Sequence, residues 1–262
     1  MRGMIWDLQS ERVLELMREG KRMDGRKADE MRKVTIQTDI SHNAEATSRV
    51  KLGETDVLAG VKCLVGEPYP DSPAEGSITI SAEYSPMASP SFESGPPSAD
   101  SIEMSRVVDR GIRESKAIDF EKLCIKEGEK VWILFADIYP LNFSGNLYDA
   151  SSIAVLKAFQ ETRFPKLDAK NAPIYGEKGE KLKLDRLPLL STFAKIGGTV
   201  VLDPSLPEEK AMNCRFSVAI TEDGYLSAFQ KGGGAGSFTK DEIDLCISIA
   251  EKTTAKTRKA FF

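Results

Sequence analysis

The chain has 262 residues, of which 41% are hydrophobic and 29% charged, and its formal net charge is −4. This length and composition are typical of a folded globular protein with one large domain or two modest ones. The acidic balance excludes a protein that is basic all over, so any nucleic-acid contact must come from a local patch. The chain has no run of about 18 apolar residues that could span a bilayer, and its charged start is unlike a signal peptide. We therefore expect a cytoplasmic protein.

Cysteine and histidine usage excludes several kinds of active site. The four cysteines are scattered without a C-x-x-C pair, and three lie in apolar runs, so we predict structural cysteines and no zinc site. His42 is the single histidine of the sequence and lies in a polar segment. Catalysis by Ser-His-Asp or Cys-His needs an imidazole with partners, so a lone histidine argues against it. The sequence predicts neither a metal nor a cofactor.

Periodicity predicts the elements of the first half of the chain. A helix is predicted over 6–20, with Ser10 as its cap and Gly20 at its end. It is followed by a strand over 33–40, a hairpin over 46–66 that turns at Gly53, and a strand over 76–85. Proline-rich residues 86–100 are predicted as a loop.

A helix over 101–118 follows, with Asp100 or Ser101 as its cap and Ile102, Val108 and Ile112 facing the core. A buried strand is predicted over 129–141, then a helix over 146–164 that Pro165 ends.

The second half repeats the alternation of strands and helices. Residues 166–187 are rich in Lys, Glu, Gly and Asn, which indicates a linker or a weak hairpin. Strands are then predicted over 191–205, 213–224 and 225–233, and a closing helix begins at Thr239, which forms a capping box with Glu242. Two rounds of strands followed by helices indicate two α/β or α+β halves.

Two motifs could bind anions or metals, but composition favours plainer interpretations of both. The glycine-rich residues 231–238 precede a helix, as phosphate loops do, yet no G-K-[ST] follows, so a flexible connection is favoured. Asp203, Glu208 and Glu209 could act as acid and base or hold Mg²⁺. The neighbouring prolines favour a solvated turn after a strand.

Two basic segments are harder to interpret. Arg106, Arg110 and Arg113 follow i, i+4, i+7 and lie along one edge of the predicted helix, where they could contact successive phosphates. A salt-bridged surface helix, with partners Glu103, Asp109 and Glu114, is equally compatible with the pattern. Residues 20–34 surround a D-G turn with basic side chains and could equally be a tethered surface arm.

Residues 22–32, RMDGRKADEMR, resemble the R-x-D-G-R-x-x-x-E-x-R signature of the RNase PH family of phosphorolytic 3′→5′ exoribonucleases. The signature positions here are Arg22, Asp24, Gly25, Arg26, Glu30 and Arg32. Residues 49–62, 103–115 and 200–243 are similar to the family's next strand block, its central helix and its second domain. The similarity covers nearly the whole chain.

The resemblance implies an α+β fold made of α/β-type units. A half like domain 2 of ribosomal protein S5 is followed by a second RNase PH-type α+β half. The implied boundaries are 1–32 for an N-terminal helix and arm, 33–185 for the first domain and 186–262 for the second. Family members assemble into six-membered rings around an RNA channel. In an active member, inorganic phosphate attacks the last phosphodiester and releases a nucleoside diphosphate, which needs basic and hydroxyl groups around two anions.

This chain departs from the family at those groups. Positions that carry arginines or a hydroxyl in active members hold Glu93, Ser94, Ala99, Asp100, Asn146 and Leu147. The acidic pair partly survives as Asp203 and Glu209, which we interpret as vestigial or structural. Two unit charges about 4–5 Å apart repel by several kcal/mol at intermediate dielectric, and nothing in the motif compensates this.

The resemblance, with these departures, implies a non-catalytic subunit of an archaeal exosome ring. Three such subunits would alternate with three catalytic RNase PH-like subunits, support phosphorolytic RNA degradation, and sit beneath RNA-binding cap proteins. The candidates for contact with single-stranded RNA are Arg106, Arg110 and Arg113, the last two above all, while Arg22 and Arg26 face RNA or the partner subunit. The alternatives are an active phosphate-dependent exoribonuclease with unusual ligands and an S5-like RNA-binding module.

Overall fold

The computed structural model describes the backbone of residues 2–262 and the side chains of residues 8–262. The helices are α1 Arg2–Arg18, α2 Ala99–Glu114, α3 Leu147–Glu161, α4 Leu206–Ala211 and α5 Lys240–Phe261. The strands are β1 Val34–Thr38, β2 Ala46–Leu52, β3 Thr55–Gly66, β4 Ser77–Ala82, β5 Cys124–Lys126, β6 Lys130–Asn142, β7 Arg163–Leu167, β8 Pro173–Lys181, β9 Leu189–Ile196, β10 Thr199–Leu202, β11 Cys214–Ile220 and β12 Leu226–Gly232.

The strands form two main sheets. The first sheet has the order β1-β2-β3-β6-β4, with β5 added beside β6. Its pairs are antiparallel except β4 and β6, which run parallel. The second sheet is antiparallel, with the order β10-β9-β11-β12, and β7 and β8 form a separate hairpin. The fold is therefore α+β, built from two related halves.

Helices α2 and α3 lie between the two sheets and give the molecule four layers. Helix α3 packs on β2 and β3 on one side and on β9 on the other, and α2 packs between β4 and β12. Because α3 has a sheet on both sides, it is buried nearly all round, and its alanines and serines allow close packing. Helix α5 covers the far face of the second sheet, with Cys246 and Ala250 against Phe193 and Phe216.

Most predicted elements are present, but several ends differ. Ser10 lies inside α1, so it does not cap that helix. Helix α2 begins before Asp100, because Ser98 is its cap and accepts a hydrogen bond from Ser101 N. Ile102 is exposed, whereas Val108 and Ile112 are buried as predicted.

Two further differences concern turns. Helix α3 ends at Glu161, and Pro165 lies in β7 instead of ending the helix. The predicted strand over 191–205 is a hairpin, since Gly197 and Gly198 adopt positive φ and turn the chain between β9 and β10. Residues 166–187 contain most of the β7–β8 hairpin.

One carboxylate joins the N-terminal arm to both halves of the chain. Asp203, fully buried after β10, accepts bonds from Arg26 Nη1 at 2.9 Å and from Arg32 Nε at 2.8 Å, Nη2 at 2.7 Å and the Arg32 amide at 2.9 Å. The side-chain amide of Asn146, at the start of α3, donates to the same carboxylate at 2.7 Å. This carboxylate therefore has five hydrogen-bond donors, from the arm and from the first half.

A second buried ion pair reinforces the first. Arg22, 5% exposed, binds both oxygens of Glu208 at 2.8 and 2.6 Å. Its remaining N–H groups donate to the carbonyls of Lys27, Glu30, Leu202 and Asp203. An arginine that binds a carboxylate through two hydrogen bonds, and whose other N–H groups all have acceptors, can adopt only one orientation. The arm that carries Arg22 is therefore held in one position.

Replacing Asp203 with alanine should cost about 3–5 kcal/mol of the free energy of unfolding, because it leaves the buried Arg32 guanidinium without its bonded carboxylate and Arg26 with Asp24 as its hydrogen-bonded carboxylate. The control is Asp24→Ala, which removes the more exposed partner of Arg26 and should cost less than about 1 kcal/mol. Urea unfolding of the two variants measures the difference. An equal loss of unfolding free energy in both variants would show that Asp203 is not the main residue that holds the arm to the rest of the chain.

Candidate phosphate cleft and basic helix edge

A cleft of about 1060 Å³ lies between the start of α2, the start of α3 and the second half of the chain. One wall is the loop that holds Glu93 and Ser94. Phe92, in that loop, stacks on Tyr84 at 4.6 Å and on Phe143 at 5.3 Å between ring centroids, which fixes the wall in place. The N-termini of two helices lie at this cleft, and helix N-termini favour anions in general. Whether the cleft can bind an anion therefore depends on which of its hydrogen-bond donors are free.

The chain's own acidic residue takes the donor at the start of α3. Glu209 Oε1 accepts a hydrogen bond from the amide of Asn146 at 2.7 Å. Burial raises the pKa of Glu209 to about 7, against the lowering effect of this bond. Gly145 permits the tight fit: it has φ +92°, and a Cβ there would lie 2.5 Å from Leu206 N. A backbone donor that would face an anion in this turn is thus occupied by a carboxyl oxygen.

The side chain of Asn146 also has its hydrogen-bond donors occupied within the chain. It is fully buried, and besides Asp203 its amide donates to Asp149 Oδ2 at 2.8 Å. Asp149 is also buried, which raises its pKa to about 7. Leu147, the next residue, is apolar and lines the cleft. The turn therefore presents neither a free hydroxyl nor a guanidinium to the cleft.

A guanidinium does line the cleft, which sequence reasoning missed. Arg215, on β11, is 8% exposed and stacks on Tyr148 with its guanidinium carbon 4.0 Å from the ring centroid. Its Nη2 donates to Glu103 Oε1 at 2.7 Å. An arginine inside a strand of otherwise buried residues is unusual unless it is paired, and this was the available signal. The partner, Glu103 of α2, neutralises the charge.

The mouth of the cleft is acidic. Glu93 and Asp100, the replacements noted in the sequence, both line it. An incoming phosphate dianion would meet these carboxylates as well as the RNA phosphate. Each pair of unit charges about 4–5 Å apart costs roughly 4 kcal/mol at an effective dielectric of about 20. Lys210 and Arg215 are the cations of the lining, against the carboxyl groups of Glu83, Glu93, Asp100 and Glu209, and Arg215 is already paired with Glu103, so the repulsion is only partly offset.

The three arginines of α2 do not behave alike. Arg106 and Arg110 are exposed, and no carboxylate lies within ion-pair distance of either among the described side chains. Arg113 binds both oxygens of Asp109 at 2.9 and 2.8 Å and donates to Ile78 O at 3.0 Å. The alternative of a salt-bridged helix thus holds for Arg113, although the sequence favours Arg113, with Arg110, as an RNA contact. The open basic edge consists of Arg106 and Arg110.

The structure also gives Arg22 and Arg26 internal partners instead of a surface role. Arg22 has no free N–H group, and Arg26 bonds Asp24, Asp203 and the carbonyl of Glu30. The expectation that these two arginines face RNA or a partner subunit must therefore be revised, because their donors are used within the chain.

The acidic turn was also misjudged from composition. Asp203 and Glu208 are fully buried and paired, so residues 202–210 are not a solvated turn. Asp203 is structural, and Glu209 lies close by, since both bind Asn146. The glycine-rich residues 231–238 do form a connection into α5: Gly236 bonds the carbonyl of Asn213, and Thr239 caps the helix.

Comparison with known proteins covers both halves of the chain. A model of the 3′ exoribonuclease family, domain 1, matches residues 30–165, and the model of its domain 2 matches residues 186–253. The exosome complex component Rrp42 of Methanothermobacter thermautotrophicus is 46% identical over 248 residues, which are 94% of this chain and 91% of that protein. Rrp42 of Thermococcus gammatolerans is 43% identical and covers 96% and 93%.

Solved structures are similar over the full length. A chain of the Archaeoglobus fulgidus exosome with RNA bound to the active site superposes with a TM-score of 0.92 at 40% identity, covering 99% of this chain and all of that one. A chain of an archaeal exosome core gives 0.87 at 37% identity and covers 98% of both. The chain therefore belongs to the RNase PH, or 3′ exoribonuclease, family in both of its domains.

Proposed function

We propose that this chain is a non-catalytic subunit of an archaeal exosome ring. In this role it supports the phosphorolytic, 3′→5′ degradation of RNA by a catalytic RNase PH-like partner. The relatives named above are exosome components, and the similar structures are exosome cores. A catalytic partner, alternating with this chain, and RNA-binding cap proteins belong to the proposal, as does the cytoplasmic location. No helix among residues 2–262 is long and apolar enough to cross a membrane.

The observation that carries the proposal is that the chain's own carboxyl groups occupy two of the anion-binding donors of the cleft. Glu103 takes Arg215, and Glu209 takes the amide at the start of α3. An active member must hold phosphate beside the RNA phosphate with preorganised donors. Here those donors would first have to break internal hydrogen bonds, so the cleft is poorly suited to phosphorolysis.

RNA contact in this proposal comes from the open basic edge. Arg106 and Arg110 lie one turn apart on α2, so their guanidinium groups can reach neighbouring phosphates of one strand. Arg110 makes one long hydrogen bond, 3.4 Å, to Gln230 of β12, which leaves its other donors available. We keep Arg113 as a secondary candidate because of its pairing with Asp109.

The test is phosphate-dependent shortening of poly(A) by the purified chain, by the catalytic RNase PH-like subunit encoded in the same genome, and by the two together. We expect no release of nucleoside diphosphate from this chain alone and clear release from the complex. The complex without phosphate is the control. Phosphate-dependent release by the chain alone would contradict the proposal and favour an active enzyme with unusual ligands.

Reversing the charge of the basic edge, with Arg106→Glu and Arg110→Glu together, should slow RNA shortening by the complex at least about tenfold, because two phosphate contacts become repulsive. The matched control is Lys252→Glu with Lys256→Glu, an exposed pair at the same spacing on α5. Ring mass is measured in parallel, so that a loss of assembly is not mistaken for a loss of RNA contact. Normal shortening by the arginine variant would show that this edge does not contact RNA.

A further inference from the structure

The cleft at the starts of α2 and α3 is lined by carboxylates that have no cation of their own. Glu83, Glu93 and Asp100 are exposed in its lining, and no lysine or arginine among residues 8–262 lies within ion-pair distance of any of them. The cations of the lining are Lys210 and Arg215, and Arg215 already has a carboxylate partner. The charge of the cleft therefore favours a cationic ligand.

Aromatic rings form a large part of the same lining. Tyr84, Phe92 and Phe143 are stacked in a row, and the ring of Tyr148 lies in the lining beside Arg215. Aromatic faces attract organic cations, and they also pack against the apolar stem of a lysine or arginine side chain. A basic side chain thus fits the cleft better than a small inorganic cation does. Among the described residues, no group of three or more histidine, cysteine or acidic side chains could hold a metal ion.

One buried donor in the lining lacks an acceptor. Arg215 is 8% exposed and donates through Nη2 to Glu103, but its Nε makes no hydrogen bond within the part of the chain that the structure describes. A buried donor without an acceptor costs about 1–3 kcal/mol, which a carbonyl oxygen of a ligand would recover. The ligand should therefore carry an acceptor as well as a positive charge. A polyamine, which has donors only, meets one of these two requirements.

The edge of β4 offers main-chain groups to the same cleft. This strand is the last of the first sheet and pairs with β6 on one side. The carbonyl of Ile78 faces away from β6, since it accepts a hydrogen bond from Arg113 Nη2 at 3.0 Å. Alternate residues of a strand direct their N–H and C=O groups to the same side, so those of Ile80 and Ala82 also face away from β6. Neither residue has a main-chain hydrogen bond to another segment within residues 2–262, and Ala82 lines the cleft.

From these features we infer that the cleft binds an extended, basic peptide segment of another protein. The main chain of the segment pairs with the edge of β4 at Ala82, as in other cases of strand addition. Its lysine or arginine side chain lies along the aromatic rings toward Glu83 and Glu93, and one of its carbonyl groups accepts from Arg215 Nε. A cleft of about 1060 Å³ is at the upper end of the usual size of ligand pockets and has room for a short segment.

RNA is a poorer occupant of this cleft, because the carboxylates without a partner would repel its phosphates. The inference concerns a ligand other than the RNA and the phosphate of the proposed function. It can therefore fail while the proposed function stands, and the reverse is also true.

The probe is a short fluorescein-labelled peptide of alternating glycine and lysine, and fluorescence anisotropy measures its binding to the full chain at low salt. We expect saturable binding. The same peptide with sarcosine in place of glycine should bind at least about fivefold more weakly, because N-methylation removes the amide donors that pair with β4 while the charge is unchanged.

Glu83→Gln with Glu93→Gln should weaken binding of the glycine–lysine peptide at least about tenfold, because two of the carboxylates that face its lysines become neutral. The matched control is Glu177→Gln with Glu180→Gln, which removes the same charge from exposed positions of β8 and should leave the affinity within about twofold. Arg215→Lys keeps the positive charge but lacks the Nε donor, so it should weaken binding at least about threefold. Thermal melting of each variant checks its fold.

Equal losses in the two glutamate pairs, or equal binding of the glycine and sarcosine peptides, would overturn the inference, as would spermidine that binds as tightly as the peptide. No saturable peptide binding, together with tight binding of a labelled oligoadenylate that Arg215→Lys abolishes, would assign the cleft to RNA and overturn it as well. RNA shortening by the complex is a separate readout, so none of these results decides the proposed function.

Discussion

The buried carboxylate of Asp203 is the constraint on which the rest of the structure depends. It receives donors from the N-terminal arm, through Arg26 and Arg32, and from the start of α3, through Asn146. Each of these groups would be costly to bury alone, and together they satisfy one another. The network holds the start of α3 against the second half of the chain and so sets the shape of the cleft.

Many basic groups of this chain are paired inside the molecule, which explains how a chain with the family's fold need not carry the chemistry. The arginines of the arm stabilise the fold, and Arg215 in the cleft is held by Glu103. What remains open to solvent on α2 is a pair of arginines, at some distance along the helix from the acidic mouth. We therefore propose that an anionic chain is guided along this subunit, whereas a second anion is not gathered in its cleft. In the proposed function, fold and catalysis have separated, as one expects when function resides in a site and not in a fold.

The sequence predicted the elements well because hydrophobic periodicity decides them locally, as in the hairpin that turns at Gly53 and the capping box at Thr239. It misjudged residues whose environment is set by distant partners. Asp203 looks like part of a solvated turn because its arginine partners lie more than 170 positions away in the chain. Arg113 has the spacing of a surface stripe, yet it turns to Asp109 and the edge of β4. Arg215 could have been suspected from its place in a buried strand, but its pairing with Glu103 could not.

The most direct measurement of the central claim is the binding of inorganic phosphate to the isolated subunit, followed by calorimetric titration near neutral pH. If internal carboxyl groups hold the cleft's donors, no saturable binding should appear up to about 10 mM phosphate, which corresponds to a binding free energy weaker than about −3 kcal/mol. A saturable site with a Kd in the micromolar range, abolished by Arg215→Ala, would contradict the account.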